Sequence, residues 1–238
     1  MKILGVDSSG MVASVALVQD DIMVAEYSVN YKKTHSQTLL PMLDEIVKMA
    51  EIDLQDIDAI AVAAGPGSFT GLRIGSATVK GLGLALDKPI VSVPTCHALA
   101  YNLCMCVNKI ICPIMDARRN QVYTGLYRFE DGNMQVVKNQ DAMDISDLIE
   151  ELNKIGAPVV FLGDGVPVFK KTIDEQLSCD YSYAPAHLNR QRAGAVATLG
   201  ARYYAQGVYE NAEEHKPVYL RKSQAERERE EKMSEQNS

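Results

Sequence analysis

The segment Ala64–Gly75, AGPGSFTGLRIG, holds the residue types and spacing nearest to a reactive or ligand-holding loop. It follows the apolar run Ile57–Ala63 and opens a stretch rich in small residues. A glycine-rich turn between a strand and a helix can cradle phosphate, because unpaired N–H groups at the helix start converge on an anion. The spacing here does not match that use. No GxxxxGK[ST] is present, and Gly65, Gly67 and Gly71 read GxGxxxG, one residue out of register for a dinucleotide fingerprint. Gly67-Ser68-Phe69-Thr70-Gly71 carries one residue too many for a GxSxG nucleophile elbow.

Other reactive types are sparse. The four histidines, His35, His97, His187 and His215, form no HxxxH or HExxH pair, so a helical metal clamp is not encoded. His35 sits at a helix start and reads as a capping or surface residue. Cys96 and His97 are chain neighbours and cannot easily face each other as nucleophile and base. Five cysteines, an odd count without CxxC, read as reduced thiols rather than a disulfide framework or zinc ribbon. No metal and no cofactor is expected.

The elements that would position such residues repeat. Lys2–Asp7 reads as a strand closing on an acid, followed by the turn Ser8-Ser9-Gly10 and strands over 12–18 and 22–29. Apolar residues at 39, 40, 43, 46, 47 and 50 mark a helix over 36–49. A buried-type strand over 58–64, the glycine loop, a helix over 71–86, a strand over 89–93 and a helix near 97–107 complete the first half. The pattern then restarts. Lys109–Asp116 again closes on an acid, and Ala117-Arg118-Arg119-Asn120 is the turn. Strands over 121–129 and 134–138, a helix near 145–154 and a strand over 158–162 ending in Gly163-Asp164-Gly165 follow. A helix over 192–206 closes the structured part. Such self-similarity predicts an α/β fold of two duplicated lobes with mixed sheets. The layout resembles the actin, sugar-kinase and Hsp70-type (ASKHA) fold. The predicted divisions are a first lobe over 1–107, a second over 108–207, and a C-terminal segment with a charged tail over 208–238.

That likeness implies nucleotide phosphates between the lobes, held by the two hairpin turns. Asp7, Ser8 and Ser9 suit the task. Asp116 heads a turn with no glycine or hydroxyl residue, and Asp164 is a poor neighbour for phosphate, although Gly163 and Gly165 would admit an adenosine. The cradle reads as half built, so only residual nucleotide binding is expected of these residues. On the helix after the loop, Leu72, Gly75, Ser76, Val79, Leu82, Gly83 and Leu86 share one face. Glycines inside a helix cost about 1 kcal/mol each relative to alanine, and close approach of another backbone would compensate. Internal packing and an intermolecular seam both fit. The seam would use Gly71, Leu72, Gly75, Ser76, Val79 and Gly83, joined by Leu39, Leu43 and Val47 of the preceding helix.

The pieces ILGVDSS, THSQTLLPML, AGPGSFTGLRIG, PIVSVPTCHALA, MDARRNQVY and PVYLRKS occur in this order along nearly the whole chain. Together they resemble the TsaB (YeaZ) family of tRNA threonylcarbamoyladenosine biosynthesis. The resemblance implies a non-catalytic scaffold, not an enzyme. It would pair with the catalytic paralogue TsaD through the first-lobe helices, homodimerise through the same face when alone, and recruit the ATPase TsaE. It would meet ANN-decoding tRNA only through the complex. The catalytic relative carries an HxxxH metal pair where this chain reads Ser92–Tyr101, SVPTCHALAY, without it. An ATP-binding, kinase-like or hydrolytic enzyme resting on Asp7, Ser8 and Asp116 is the alternative. A net charge of −7 argues against this chain as the main grip on nucleic acid. With 47% hydrophobic residues, a charge met too early within Met1–Asp7 for a signal-peptide core and no apolar run of membrane-spanning length, a soluble cytoplasmic protein off the membrane is expected.

Overall fold

The computed structural model describes residues 1–31 and 34–221. The charged tail after Ser223 lies outside the described residues. The first half runs β1 (Lys2–Asp7), β2 (Ala13–Gln19), β3 (Ile22–Val29), α1 (His35–Met49), β4 (Ala59–Gly65), α2 (Phe69–Leu86), β5 (Ile90–Pro94) and α3 (Thr95–Tyr101). The second half runs β6 (Ile110–Asp116), β7 (Gln121–Glu130), β8 (Asn133–Asp144), α4 (Ile145–Ile155), β9 (Val159–Leu162), α5 (Val166–Gln176), β10 (Tyr181–Tyr183) and α6 (Ala193–Ala205). Each half builds one five-stranded mixed sheet, in the orders β3-β2-β1-β4-β5 and β10-β9-β6-β7-β8. The two orders correspond strand for strand. β1 and β6 are the pivots, each antiparallel to the following strand and parallel to β4 or β9.

The sequence explains the layers. β1 and β4 are apolar on both faces because both faces of the first sheet are covered. Leu4, Val6, Ile60 and Val62 meet Leu39, Met42, Leu43 and Ile46 of α1 and Val79 of α2. Ile3, Ala59, Ala61 and Ala63 meet Val196, Ala197 and Leu199 of α6. Each large apolar side chain buried in this way contributes about 1.5–3 kcal/mol. Helix α6 therefore belongs physically to the first sheet, although its position in the chain suggests the second lobe. Small residues let it lie close: a side chain at Gly5 or Gly200 would overlap Ala193 and Ala197, or Ala61.

Other differences from the sequence reading are local. α3 ends at Tyr101, several residues before the expected stop, and β8 continues to Asp144. α5 and β10 are the second-half partners of α2 and β5, and the sequence reading did not delimit them. α5 buries only Phe169 and Ile173 fully, too few to mark a period, and β10 is three residues long.

The start of α6 is anchored across the sheet. Glu26 on β3 accepts from Arg192 Nε (3.0 Å) and, through Oε1, from Gly194 N (2.9 Å), while Ser14 Oγ accepts from Ala193 N (2.9 Å). The Glu26 side chain is 12% exposed. Glu26→Ala would leave a cation and a helix-end N–H without their acceptor. It is expected to lower unfolding free energy by about 2 kcal/mol, read from the urea midpoint, with Glu26→Gln recovering part of the loss.

Candidate functional site: the cleft between the lobes

The β1–β2 and β6–β7 turns face each other across a cleft of about 780 Å³. The two sides are built differently. In the first turn, Asp7 is 1% exposed, and its Oδ1 accepts from Ser9 N (2.9 Å) and Ser9 Oγ (2.7 Å). Burial pushes its carboxyl up to about 6. The Ser9 bonds oppose the shift, and the charge of Asp164 adds to it. Ser8 points away from the cleft, and its Oγ donates to Gly71 O (2.9 Å). Ser68 N donates to Ser9 O (2.7 Å), and His35 donates from Nε2 to Gly10 O (2.9 Å). The turn's carbonyls are thus occupied by α1 and by the loop before α2.

The second turn is open. Arg118, Arg119 and Asn120 all take positive φ (65°, 55° and 61°), a conformation uncommon outside glycine. Asp116 Oδ1 holds the bend by accepting from Arg118 N (2.8 Å), and Asn120 is fixed by Asp144 and by Ile145 N (3.1 Å). Arg118, Arg119 and Arg221 line the cleft with Asp116 and Asp164. Burial raises the Asp164 carboxyl, while the Arg190 charge pulls it down. Its Oδ1, like His35 Nδ1, is buried with no hydrogen-bond partner among the described residues. A basic rim over acceptors gives the cleft a mixed polarity suited to an anionic group with donors of its own.

The residues predicted for nucleotide contact divide. Ser9 and Asp116 line the cleft, whereas Ser8 is turned into α2. Asp7 lies beneath the turn, closed off by Ser9. Gly163 and Gly165 give clearance to the Ile114 carbonyl of β6, so their lack of a side chain serves the packing of the second lobe.

The residues predicted for a partner seam do share a face, but that face looks inward. Leu39, Leu43, Gly71, Leu72, Gly75, Ser76, Val79 and Gly83 are buried within the chain, and Val47 is half-buried against the same core. A side chain at Gly71 would overlap the Ser8 carbonyl oxygen, one at Gly75 the Ser8 hydroxyl, and one at Gly83 the Ala212 side chain. Gly65, at φ +125°, leaves no room beside the Val218 carbonyl. The close neighbour these glycines admit is the chain itself.

Several residues in or near the cleft escaped the sequence reading. His35, Phe69 and Arg221 line it. Gln140 of β8 donates to Gly65 O (3.0 Å) and accepts from Cys96 N (3.2 Å), tying the lobes together. Of these, His35 had a signal, its place in THSQTLL. Ser92, His215 and Glu210 also cluster, but hydroxyl and carboxylate both meet His215 Nδ1 (3.0 and 2.8 Å), while Nε2 is buried and has no partner among the described residues. A proton relay needs the two partners on opposite ring nitrogens, so this is not a hydrolytic triad. Cys96 is fully buried with its thiol pushed up by burial, and burial lowers His97 to about 4, where it bonds Tyr203. Neither is poised for attack. All five cysteines are free.

Two duplicated lobes with hairpin turns facing across a cleft define the actin, sugar-kinase and Hsp70-type fold class. A solved inorganic polyphosphate/ATP-glucomannokinase from Arthrobacter sp. strain KM shares the fold alone, with TM-score 0.51 and 10% identity over 87% of this chain and 99% of that one. YeaZ from Pseudomonas aeruginosa superposes with TM-score 0.77 and 27% identity over 92% of this chain and 99% of that one. The family profile described as TsaD, tRNA N6-adenosine threonylcarbamoyltransferase, matches residues 23–229. The tRNA threonylcarbamoyladenosine biosynthesis protein TsaB of Bacillus subtilis is 37% identical over 95% of this chain and 96% of its own length. The chain belongs to the TsaB family, whose members' names place it in tRNA threonylcarbamoyladenosine biosynthesis.

Two measurements check this account of the site. Gly71→Ala should cost about 2 kcal/mol or more, whereas Gly81→Ala, with nothing within 4 Å of the added carbon, should gain about 0.5–1 kcal/mol in the same denaturation assay. Asp7 holds its proton more tightly in the folded chain than in the unfolded one. Stability therefore falls as pH rises from about 4 to about 6 and stays at the lower value above. Asp7→Asn, which keeps Oδ1 as acceptor, should raise unfolding free energy by about 2 kcal/mol at pH 7.5 and leave it unchanged near pH 3.5.

Proposed function

We propose that this chain is a non-catalytic partner subunit of the assembly that makes N6-threonylcarbamoyladenosine at position 37 of ANN-decoding tRNAs. It pairs with the catalytic paralogue TsaD through the outer face of the first-lobe helices and recruits the ATPase TsaE. Alone, it homodimerises through the same face, and it reaches tRNA only through the complex. It works in the cytoplasm. Among the described residues no helix is long and apolar enough to cross a membrane.

The observation that carries this reading is the outer surface of α1 and α2. With the inner face buried, the helices still expose Leu40 (54%) and Leu84 (55%). Ala77, Gly81 and Ala85 lie exposed on the same helix as Leu84. Small residues beside exposed leucines allow close helix-to-helix packing with an apolar centre. The first turn supports the same reading from the other side. Its serines and carbonyls bond to the chain's own elements, and the SVPTCHALAY segment has no paired histidines for a metal.

Leu40→Glu and Ala77→Glu change exposed positions and should leave the melting temperature within a few degrees of wild type. Each is expected to weaken association with a TsaD-type partner at least tenfold by calorimetry, since a charge buried in an apolar interface costs about 1.4 kcal/mol or more. Undiminished binding by both variants would remove this face from the interface. Substitutions at Gly75 or Val79 would test folding instead, because those positions are internal.

A further inference from the structure

Residues 208–221 leave α6, run back over the first lobe and end on the second. Glu210 and Ile90 exchange both backbone hydrogen bonds (2.9 Å each) at the edge of β5. Lys80 of α2 donates to the carbonyls of Glu213 (2.8 Å) and His215 (3.2 Å). Val218 N then donates to Ala64 O (2.7 Å), just before the glycine loop. Tyr219 stacks on Phe69, the first residue of α2, with centroids 4.7 Å apart and planes 8° from parallel. Arg73, one turn along α2, donates to the Tyr219 hydroxyl (3.3 Å). Leu220 packs into the second-lobe core, and Arg221 donates to Ala117 O in the β6–β7 turn (2.6 Å). Within four residues the chain passes from the start of α2 to the second hairpin turn. Phe69 and Arg221 both line the cleft it borders.

We infer that residues 218–221 form a clasp that sets the opening of the inter-lobe cleft and couples the start of α2 to the β6–β7 turn. Outside the cleft lining, Arg202 of α6 donates to Gly132 O in the β7–β8 turn (3.0 Å), and the deeper ties between the lobes are of a different kind. α3 joins them through buried side chains, with Ala98 in one core and Cys96, Leu99 and Ala100 in the other. Gln140 adds two bonds to backbone. The clasp is shallower: Tyr219 is 38% exposed, and its holds are one ring stack and a few single hydrogen bonds. In a body joined by a deep wall and a shallow tie, the shallow tie opens first, and opening there changes the gap between the two turns. The clasp does not depend on any partner being docked.

Hydrogen–deuterium exchange of the full chain, read by mass spectrometry, tests this with Tyr219→Ala and Arg221→Ala. Each variant should speed exchange about three- to tenfold on the lobe that it does not touch. Tyr219→Ala should do so at residues 115–121 and Arg221→Ala at residues 67–72, with β1 and β9 keeping wild-type rates. Acceleration confined to the altered residue's own surroundings, or no change in Arg221→Ala, would overturn the clasp. If Tyr219→Ala speeds exchange everywhere, the substitution has unfolded the chain. Arg221→Ala, at a half-buried position on the rim, then decides the matter by the same criterion.

Discussion

The fold depends on how closely the start of α2 lies on the β1–β2 turn. Ser8 donates its hydroxyl to Gly71, Ser68 donates its amide to Ser9, and no side chain fits between them at Gly71 or Gly75. This one approach fixes three things. It brings Val79 down onto β1 and β4 to close the core on that face. It seals the first turn, with the Asp7 carboxyl beneath it. It also sets the height of Phe69, on which Tyr219 rests. A side chain that lifted α2 by even one carbon would disturb all three, because packed interiors relax only in part.

The duplication makes the asymmetry of the cleft readable. Both halves end their first strand on an acid, Asp7 and Asp116, at equivalent places in equivalent sheets. One acid is buried, with its carboxyl pushed up to about 6; the other is held by Arg118 at the cleft rim. The difference lies in what covers each turn. The first is roofed by the glycine loop and His35, and the second carries three left-handed residues that lift two arginines toward the gap. A site with matched turns could grip a ligand from both sides. This one offers a closed wall and a charged rim.

Much of the architecture was legible in the sequence, for identifiable reasons. β1, β4, β6 and β9 are buried on both faces, so they appear as unbroken apolar runs, and α1 shows a clean helical period. The repeat of a strand closing on Asp gave the two lobes. The glycine-lined face of α2 was legible as a face, but not its destination. Small residues record only that something comes close, and Gly75 looks the same whether the neighbour is Ser8 or another molecule. α5 and β10 were missed because two buried side chains and three residues leave no period. His35, Gln140 and Arg221 act through partners 25 to 104 residues away, where no local pattern can announce the pairing. α6 followed the second lobe in order yet joined the first in space, and only the match of its alanines to the small side of β4 could have hinted at that.

The placement of α6 has a consequence for how the chain is made. The first sheet gains its second covering layer only when residues 193–205 arrive, after the whole second lobe has been synthesised. Until then Ile3, Ala61 and Val93 present an uncovered apolar surface. Contacts separated by nearly two hundred residues must form late and close a long loop, which slows folding and exposes intermediates to aggregation. The two halves repeat in form, but they cannot mature one after the other. A nascent chain cut at the apparent lobe boundary would be a sheet missing one wall.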